Sequence, residues 1–225
     1  MTYDKILTLD TSTSKLSVTV YSNNRFYLFE QNSMDHSEKL TIALDTLLHE
    51  AKIKVKDLDI IGVNTGPGSF TGLRIGLCFI RELLNFCKMK YVVTTSSFMM
   101  LLYEFKRDYL ESTKYSYNEI VTLFPSVKNE FYLCKFILRK NRIKKIGKEN
   151  YVRKDVLEKA VSNQAKHKTY YIAPDIVDLQ GLDKIKRVRF SSAAIAKMII
   201  EQNREFYRLT SVHKLIPFYL RHTYY

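Results

Sequence analysis

Residues 64–76 read N-T-G-P-G-S-F-T-G-L-R-I-G, Asn64 to Gly76. The chain holds seven glycines in 225 residues, and five of them, Gly62, Gly66, Gly68, Gly72 and Gly76, fall within fifteen residues here. The run I-I-G-V-N before the turn is a short strand. After it, Leu73, Leu77, Ile80, Leu83 and Leu84 share one face of a helix. A strand that ends in a glycine-rich turn and feeds a helix is a joint of an α/β fold. Such a turn exposes backbone N–H groups able to hold an anion. Its glycines equally permit a sharp turn and a close crossing. Gly72 and Gly76, four apart, present one flat face to a helix of this chain or of another. Arg74 points off that face, toward a carboxylate or a phosphate.

The spacing excludes the usual nucleotide motifs. No Lys follows Gly72, so this is not a P-loop, and Gly66, Gly68 and Gly72 are spaced two and four, unlike the dinucleotide fingerprint. Ser69 lacks the flanks of a nucleophile elbow. His36, His49, His167, His213 and His222 include no pair three or four apart, so no helical metal pair exists. The remaining candidate for phosphate chemistry is Asp10 at the end of the first strand, followed by Thr11, Ser12 and Thr13. A carboxylate there suits Mg²⁺ beside phosphates, and Asp at a strand end is also a simple turn former.

Outward from the glycines, Ile6–Leu9, Leu16–Tyr21 and Phe26–Gln31 read as three strands, the last two joined tightly by S-N-N-R. Leu40, Ala43, Leu44, Leu47, Leu48 and Ala51 form the apolar stripe of a first helix, with Asp35 or Ser37 as its cap. Met89–Thr94 is another strand, and S-S-F-M-M-L-L-Y opens a third helix. Strands at 119–124, 130–137 and 168–173 and a helix at 191–202 follow, with no internal repeat visible in the sequence. The expected class is α/β with mixed sheets.

The net charge of +13 is uneven. Residues 1–105 carry 11 Lys/Arg against 11 Asp/Glu, and residues 106–225 carry 25 against 12. That step predicts two lobes, 1–105 and a basic 106–225, with the last helix and tail packing back on the first. A basic lobe suits a polyanion such as RNA, and a Lys-rich solvated surface is the plainer account. Cys78, Cys87 and Cys134 have no metal-like spacing and read as buried thiols in a reducing, cytoplasmic compartment. No apolar run reaches transmembrane length, and the first residues enter a strand pattern with no signal segment.

Three strings together, I-L-T-L-D-T-S-T at 6–13 with H-S at 36–37, G-P-G-S-F-T-G-L-R-I-G at 66–76, and P-F-Y-L-R at 217–221, resemble the TsaB (YeaZ) family. The resemblance covers the first hundred residues, fades in the middle and returns near the end. It implies the two-lobed actin-like ATPase (ribonuclease H-like) fold. It also implies a part in making N6-threonylcarbamoyladenosine at position 37 of tRNAs that read codons beginning with A. In that family TsaB is not the transferase; it supports a paralogue, TsaD, which holds the metal. The His-x-x-x-His pair of TsaD falls here on Ser97 and Leu101, and Leu101 has no donor atom.

The resemblance further implies a partner-binding surface on the first two helices, assigned to His36, Leu40, Leu44, Leu47, Gly72, Leu73, Gly76 and Ile80. It leaves Asp10, Thr11, Ser12, Gly66, Gly68 and Ser69 as the candidate nucleotide or anion site. ATP or ADP with Mg²⁺, at or near the partner interface, is the candidate cofactor, and no catalytic residue or metal ligand is assigned. Expected partners are TsaD, the TsaE ATPase, a second copy when alone, and a weak contact with tRNA. The family's D-A-R at the start of the second lobe's hairpin stands here as Pro125-Ser126-Val127. The competing readings are an autonomous Mg-nucleotide hydrolase of the same fold, which needs Asp10 and the glycine loop in one cleft, and a peptidase, for which neither a nucleophile–base pair nor a zinc motif is present.

Overall fold

The computed structural model describes residues 3–32, 36–110, 117–126, 129–139, 142–162, 169–177, 179 and 181–220. Asp35, Val127, His167, Arg221 and His222, named above, lie outside them. The chain divides into two compact units, residues 1–99 with 191–219, and residues 100–190 with 220–225. The sequence reading set the division at 105/106.

In the first unit, β1 (Ile6–Asp10), β2 (Lys15–Ser22) and β3 (Arg25–Asn32) form an antiparallel meander. Asn23 and Asn24 take φ of 50° and 59° in the two-residue turn between β2 and β3, the left-handed pair that a tight hairpin needs. Helix α1 (His36–Ala51) leads to β4 (Ile60–Asn64), α2 (Phe70–Phe86) and β5 (Tyr91–Thr95). The strands β4 and β5 run parallel to β1, and the order is β11-β5-β4-β1-β2-β3. The outer strand β11 (Arg208–Ser211) pairs antiparallel with β5.

Alternation puts Leu7, Leu9, Leu16, Val18 and Val20 on one face, where they pack with Leu40, Leu44, Leu47, Leu77, Ile80 and Leu84. The opposite face carries Thr8, Ser17 and Thr19, and it is not left to water. Ahead of α5 (Ala193–Ile200), Ser192 meets all three: its Oγ lies 2.9 Å from Ser17 Oγ and 2.7 Å from Thr19 Oγ1, and its carbonyl accepts from Thr8 Oγ1 at 2.8 Å. Buried hydroxyls that pair with one another avoid the desolvation penalty of unpaired ones.

After α3 (Ser97–Phe105) and a π turn at Lys106–Leu110, the second unit repeats the plan. β6 (Tyr117–Pro125), β7 (Glu130–Arg139) and β8 (Arg142–Arg153) form a second meander; α4 (Lys154–Ser162) leads to β9 (Thr169–Pro174), parallel to β6, and to β10 (Lys186–Val188). The order β10-β9-β6-β7-β8 matches β5-β4-β1-β2-β3 position for position. Its core is Val121, Leu123 and Phe131 against Leu157 and Val161 of α4, with Leu179, Leu182 and Ile185. The sequence reading lacks β8, α4, β10 and β11. Strand β8 is an edge strand with its pairing shifted opposite Leu133–Lys135, where it carries two extra residues and Gly147 takes φ +66°. A bulge of this kind breaks the period-two signal that marks a strand. Among the described residues, no helix is long and apolar enough to cross a membrane.

Candidate functional site

The parallel pairing of β1, β4 and β5 brings their C-terminal ends together. Asp10, Asn64 and Ser97 stand at those ends, and Asn64 is their hub. Its Nδ2 donates to Asp10 Oδ1 at 2.8 Å, to Ser97 Oγ at 2.9 Å and to Ser12 Oγ at 3.1 Å, while its Oδ1 accepts from Gly66 N at 2.9 Å. Ser97 then holds the loop from behind: its Oγ donates to the Pro67 carbonyl at 2.6 Å and its N to the Gly66 carbonyl at 2.9 Å. Asp10 is 1% exposed. Burial pushes its carboxyl pKa up, against the opposing hydrogen bonds from Asn64 and Ser12.

The glycines answer a steric demand. A Cβ on Gly72 would lie 2.1 Å from the Thr11 carbonyl oxygen, one on Gly76 2.2 Å from Thr11 Oγ1, and one on Gly68 2.3 Å from the Ser12 carbonyl oxygen. The flat face of α2 is therefore filled by the β1–β2 turn of the same unit. Ser69 N donates to the Ser12 carbonyl at 2.7 Å and locks that contact. From the other side, Phe218 N donates to the Thr65 carbonyl at 2.7 Å, Tyr219 accepts from Arg74 Nε at 3.2 Å, and Arg81 binds the Leu215 carbonyl. Residues 215–219 are thus a strap along α2.

Two expectations change on this geometry. Asp10, Thr11, Ser12, Gly66, Gly68 and Ser69 do meet, but they are spent on one another. The N–H groups of Gly66, Ser69 and Gly72 each have a protein acceptor, and Asp10 is buried under its own partners. Phosphates need free amides and Mg²⁺ needs accessible oxygens, so the N–H groups of Gly66, Ser69 and Gly72 and the buried Asp10 carboxylate do not fit a Mg-nucleotide. Likewise His36, Leu40, Leu44, Leu47, Gly72, Leu73, Gly76 and Ile80 are all buried. They form the inward faces of α1 and α2, because sheet and turn already occupy the space a partner was assigned. The outward faces are a different set: Ile42 (54% exposed), Phe70 (37%) and Phe86 (59%), with Arg74 over the Phe70 ring at 3.9 Å. Asn64, Ser97 and these outward residues were missed by sequence reasoning. Asn64 stood in the deciding stretch, but nothing in spacing distinguishes a hub from a turn residue.

Ser97 serves the loop, and Leu101 is fully buried. Among the described residues, no group of three or more His, Cys, Asp or Glu is arranged to hold a metal ion.

Residues 30–196 match the family described as "TsaD: tRNA N6-adenosine threonylcarbamoyltransferase". The chain is 23% identical over 186 residues to the tRNA threonylcarbamoyladenosine biosynthesis protein TsaB of Buchnera aphidicola from Acyrthosiphon pisum, spanning 81% of this chain and 80% of that protein. It is 37% identical over 81 residues to TsaB of Buchnera aphidicola from Schizaphis graminum, 36% of this chain and 39% of that one. In fold it is similar to the solved structure of YeaZ from Pseudomonas aeruginosa, with TM-score 0.70 and 18% identity over 96% of this chain and 100% of that one.

Proposed function

Because the chain belongs to the tRNA N6-adenosine threonylcarbamoyltransferase (TsaD) family, on its TsaB (YeaZ) branch, with the actin-like α/β fold of two mixed sheets, we propose that it is a non-catalytic partner subunit. It supports a TsaD transferase in forming N6-threonylcarbamoyladenosine at position 37 of tRNA. The observation that carries this reading is the pair Ser97 and Leu101, a loop strut and a core leucine where the catalytic relative has imidazoles. The engaged amides of the glycine loop weigh against the autonomous hydrolase in the same way. ATP or ADP with Mg²⁺ belongs, in this reading, to the TsaD side of the complex. The TsaE ATPase acts on that complex, and the whole assembly works in the cytoplasm.

The contact with TsaD uses the outward faces of α1 and α2. An exposed isoleucine and two exposed phenylalanines on one helix layer are anchors of the kind that dominate interfaces. Ile42→Glu and Phe86→Glu should each weaken TsaD binding at least about tenfold while leaving thermal unfolding unchanged, read by calorimetric titration and by the mass of the recovered complex with and without ATP. Full affinity in both variants would remove this surface from the proposal. The same face closes a homodimer when TsaD is absent, so TsaD should dissociate that dimer in light scattering. The isolated chain should release phosphate from Mg-ATP far below roughly 1 per second, an ordinary enzyme rate. A rate of that order that Asp10→Ala abolishes would restore the hydrolase.

A further inference from the structure

We propose that the open end of the second sheet is a docking surface for the phosphate backbone of RNA, carried by Lys135, Arg139, Arg142 and Lys144. The inference rests on the reading of the chain as part of a tRNA-modifying complex and names the face that would touch the nucleic acid. Side chains alternate along a strand, so positions 135, 137 and 139 of β7 share one face. The register sets Lys135 opposite Ile146, Ile137 opposite Lys144 and Arg139 opposite Arg142. Four cations therefore stand on one face around two half-buried isoleucines, and all four are exposed. Tyr171 of β9 lies on the same face, in the row of Val121 and Lys135. The other end of this face is covered by Leu157 and Val161 of α4, which pack on Val121 and Leu123. Among the described residues, no helix covers the basic end.

Structure alone does not call for these residues. Lysines on an edge strand guard it against pairing with another chain, and that accounts for basic residues on β8. It does not account for Lys135 and Arg139, because β7 lies between β6 and β8. Arg139 and Arg142 are like charges directly opposite on a ladder, an arrangement that costs stability. Carboxylates do little to relieve it. Lys135 has Glu119 at 4.0 Å, and among the described residues Arg139, Arg142 and Lys144 make no ion pair. The surrounding charge is net positive, 20 Lys/Arg against 11 Asp/Glu over residues 100–190, and Glu119, opposite Ile137, is the carboxylate that the register places on this face beside Lys135. Cations two residues apart on a strand stand about 6.6 Å apart, a step a phosphate chain can follow. The flat apolar ground of Ile137, Ile146 and Tyr171 suits riboses and bases better than it suits a protein carboxylate cluster.

The test uses the full chain and an unmodified tRNA transcript, with affinity measured from about 50 to 200 mM salt. The variant K135Q/R139Q/R142Q/K144Q should bind at least about tenfold more weakly at the low end. The slope of log affinity against log salt should be shallower by about 3–4, since each phosphate contact contributes about 0.9. The control K159Q/K184Q/R208Q/K214Q removes the same charge from exposed positions elsewhere and should keep both the parent slope and most of its affinity. Equal losses in the two variants would reduce the effect to net charge and overturn the proposal, as would absence of binding by the parent chain at 50 mM salt. TsaD capture is measured on the same proteins. Capture retained with tRNA lost supports the RNA surface. Capture lost with tRNA retained overturns it and makes this face a protein contact. Failure of the parent chain to capture TsaD would defeat the proposed function while leaving the RNA result standing.

Discussion

Gly72→Ala and Gly76→Ala should each unfold about 5–10 °C below the parent chain. The expected cost is that of overpacking, ~2–3 kcal/mol, and a chain of this size loses about 2–4 °C per kcal/mol. The added methyl meets the carbonyl oxygen of Thr11 at 2.1 Å in one case and its side-chain hydroxyl at 2.2 Å in the other. Backbone cannot rotate away as a flexible side chain can, so Gly72→Ala should be the worse of the two. Thr11→Ala relieves Gly76→Ala, because the clash there is with the Thr11 side chain, and does nothing for Gly72→Ala. That double-mutant contrast, read by thermal unfolding, separates the two sites. Unchanged stability in both glycine variants, with TsaD binding lost, would return the flat face of α2 to a partner.

Asn64→Leu should cost about 3 kcal/mol at neutral pH, by leaving the Asp10 carboxylate and the Gly66 N–H buried without their partner. The pH dependence identifies the cause. Burial raises the folded-state pKa of Asp10 above its unfolded value, so the native state holds this proton more tightly than the unfolded state does. The stability it contributes is complete below the unfolded carboxylate range, about pH 4, and is lost as pH rises through the folded pKa. Asn64→Leu removes the donor that opposes this rise, so its penalty should grow with pH and shrink toward acid. Denaturant unfolding of the parent and variant between pH 4 and 8 measures it. A penalty independent of pH would mean that the loss is packing alone. Asp10→Asn should flatten the parent profile and leave TsaD binding intact.

Strand β4 is legible to the residue, and helices α1 and α2 are legible by their apolar stripes, because an apolar run into glycine and a three-and-four spacing are local signals. The repetition of the β1–β5 plan in β6–β10 was not legible. It resides in pairing order, and the two meanders bury different residues against different helices. Strand β8 hides behind five basic residues and a bulge, and β10 and β11 are three and four residues long, too short for a period to register. At the site, the sequence names residues that meet but not the hydrogen bonds among them. Sequence places Gly72 and Gly76 on one face of a helix; only the register of β1 against β4 shows that Thr11 fills it. The apolar stripes of α1 and α2 were read as a binding surface because a stripe marks burial without stating what does the burying.

The first unit is written in two pieces, and this orders its assembly on the ribosome. When residue 99 has been made, β5 is still an edge strand, and the hydroxyl face of Thr8, Ser17 and Thr19 still awaits Ser192. Some 120 residues must follow before β11 closes that edge and the strap reaches Thr65, about 6–24 seconds at ordinary synthesis rates. The second unit's sheet and core are contiguous in residues 100–190 and are complete first. The nascent chain therefore carries a bare β5 edge and an unsatisfied polar face while its neighbour folds, an interval in which a chaperone that masks sheet edges would have the most to do.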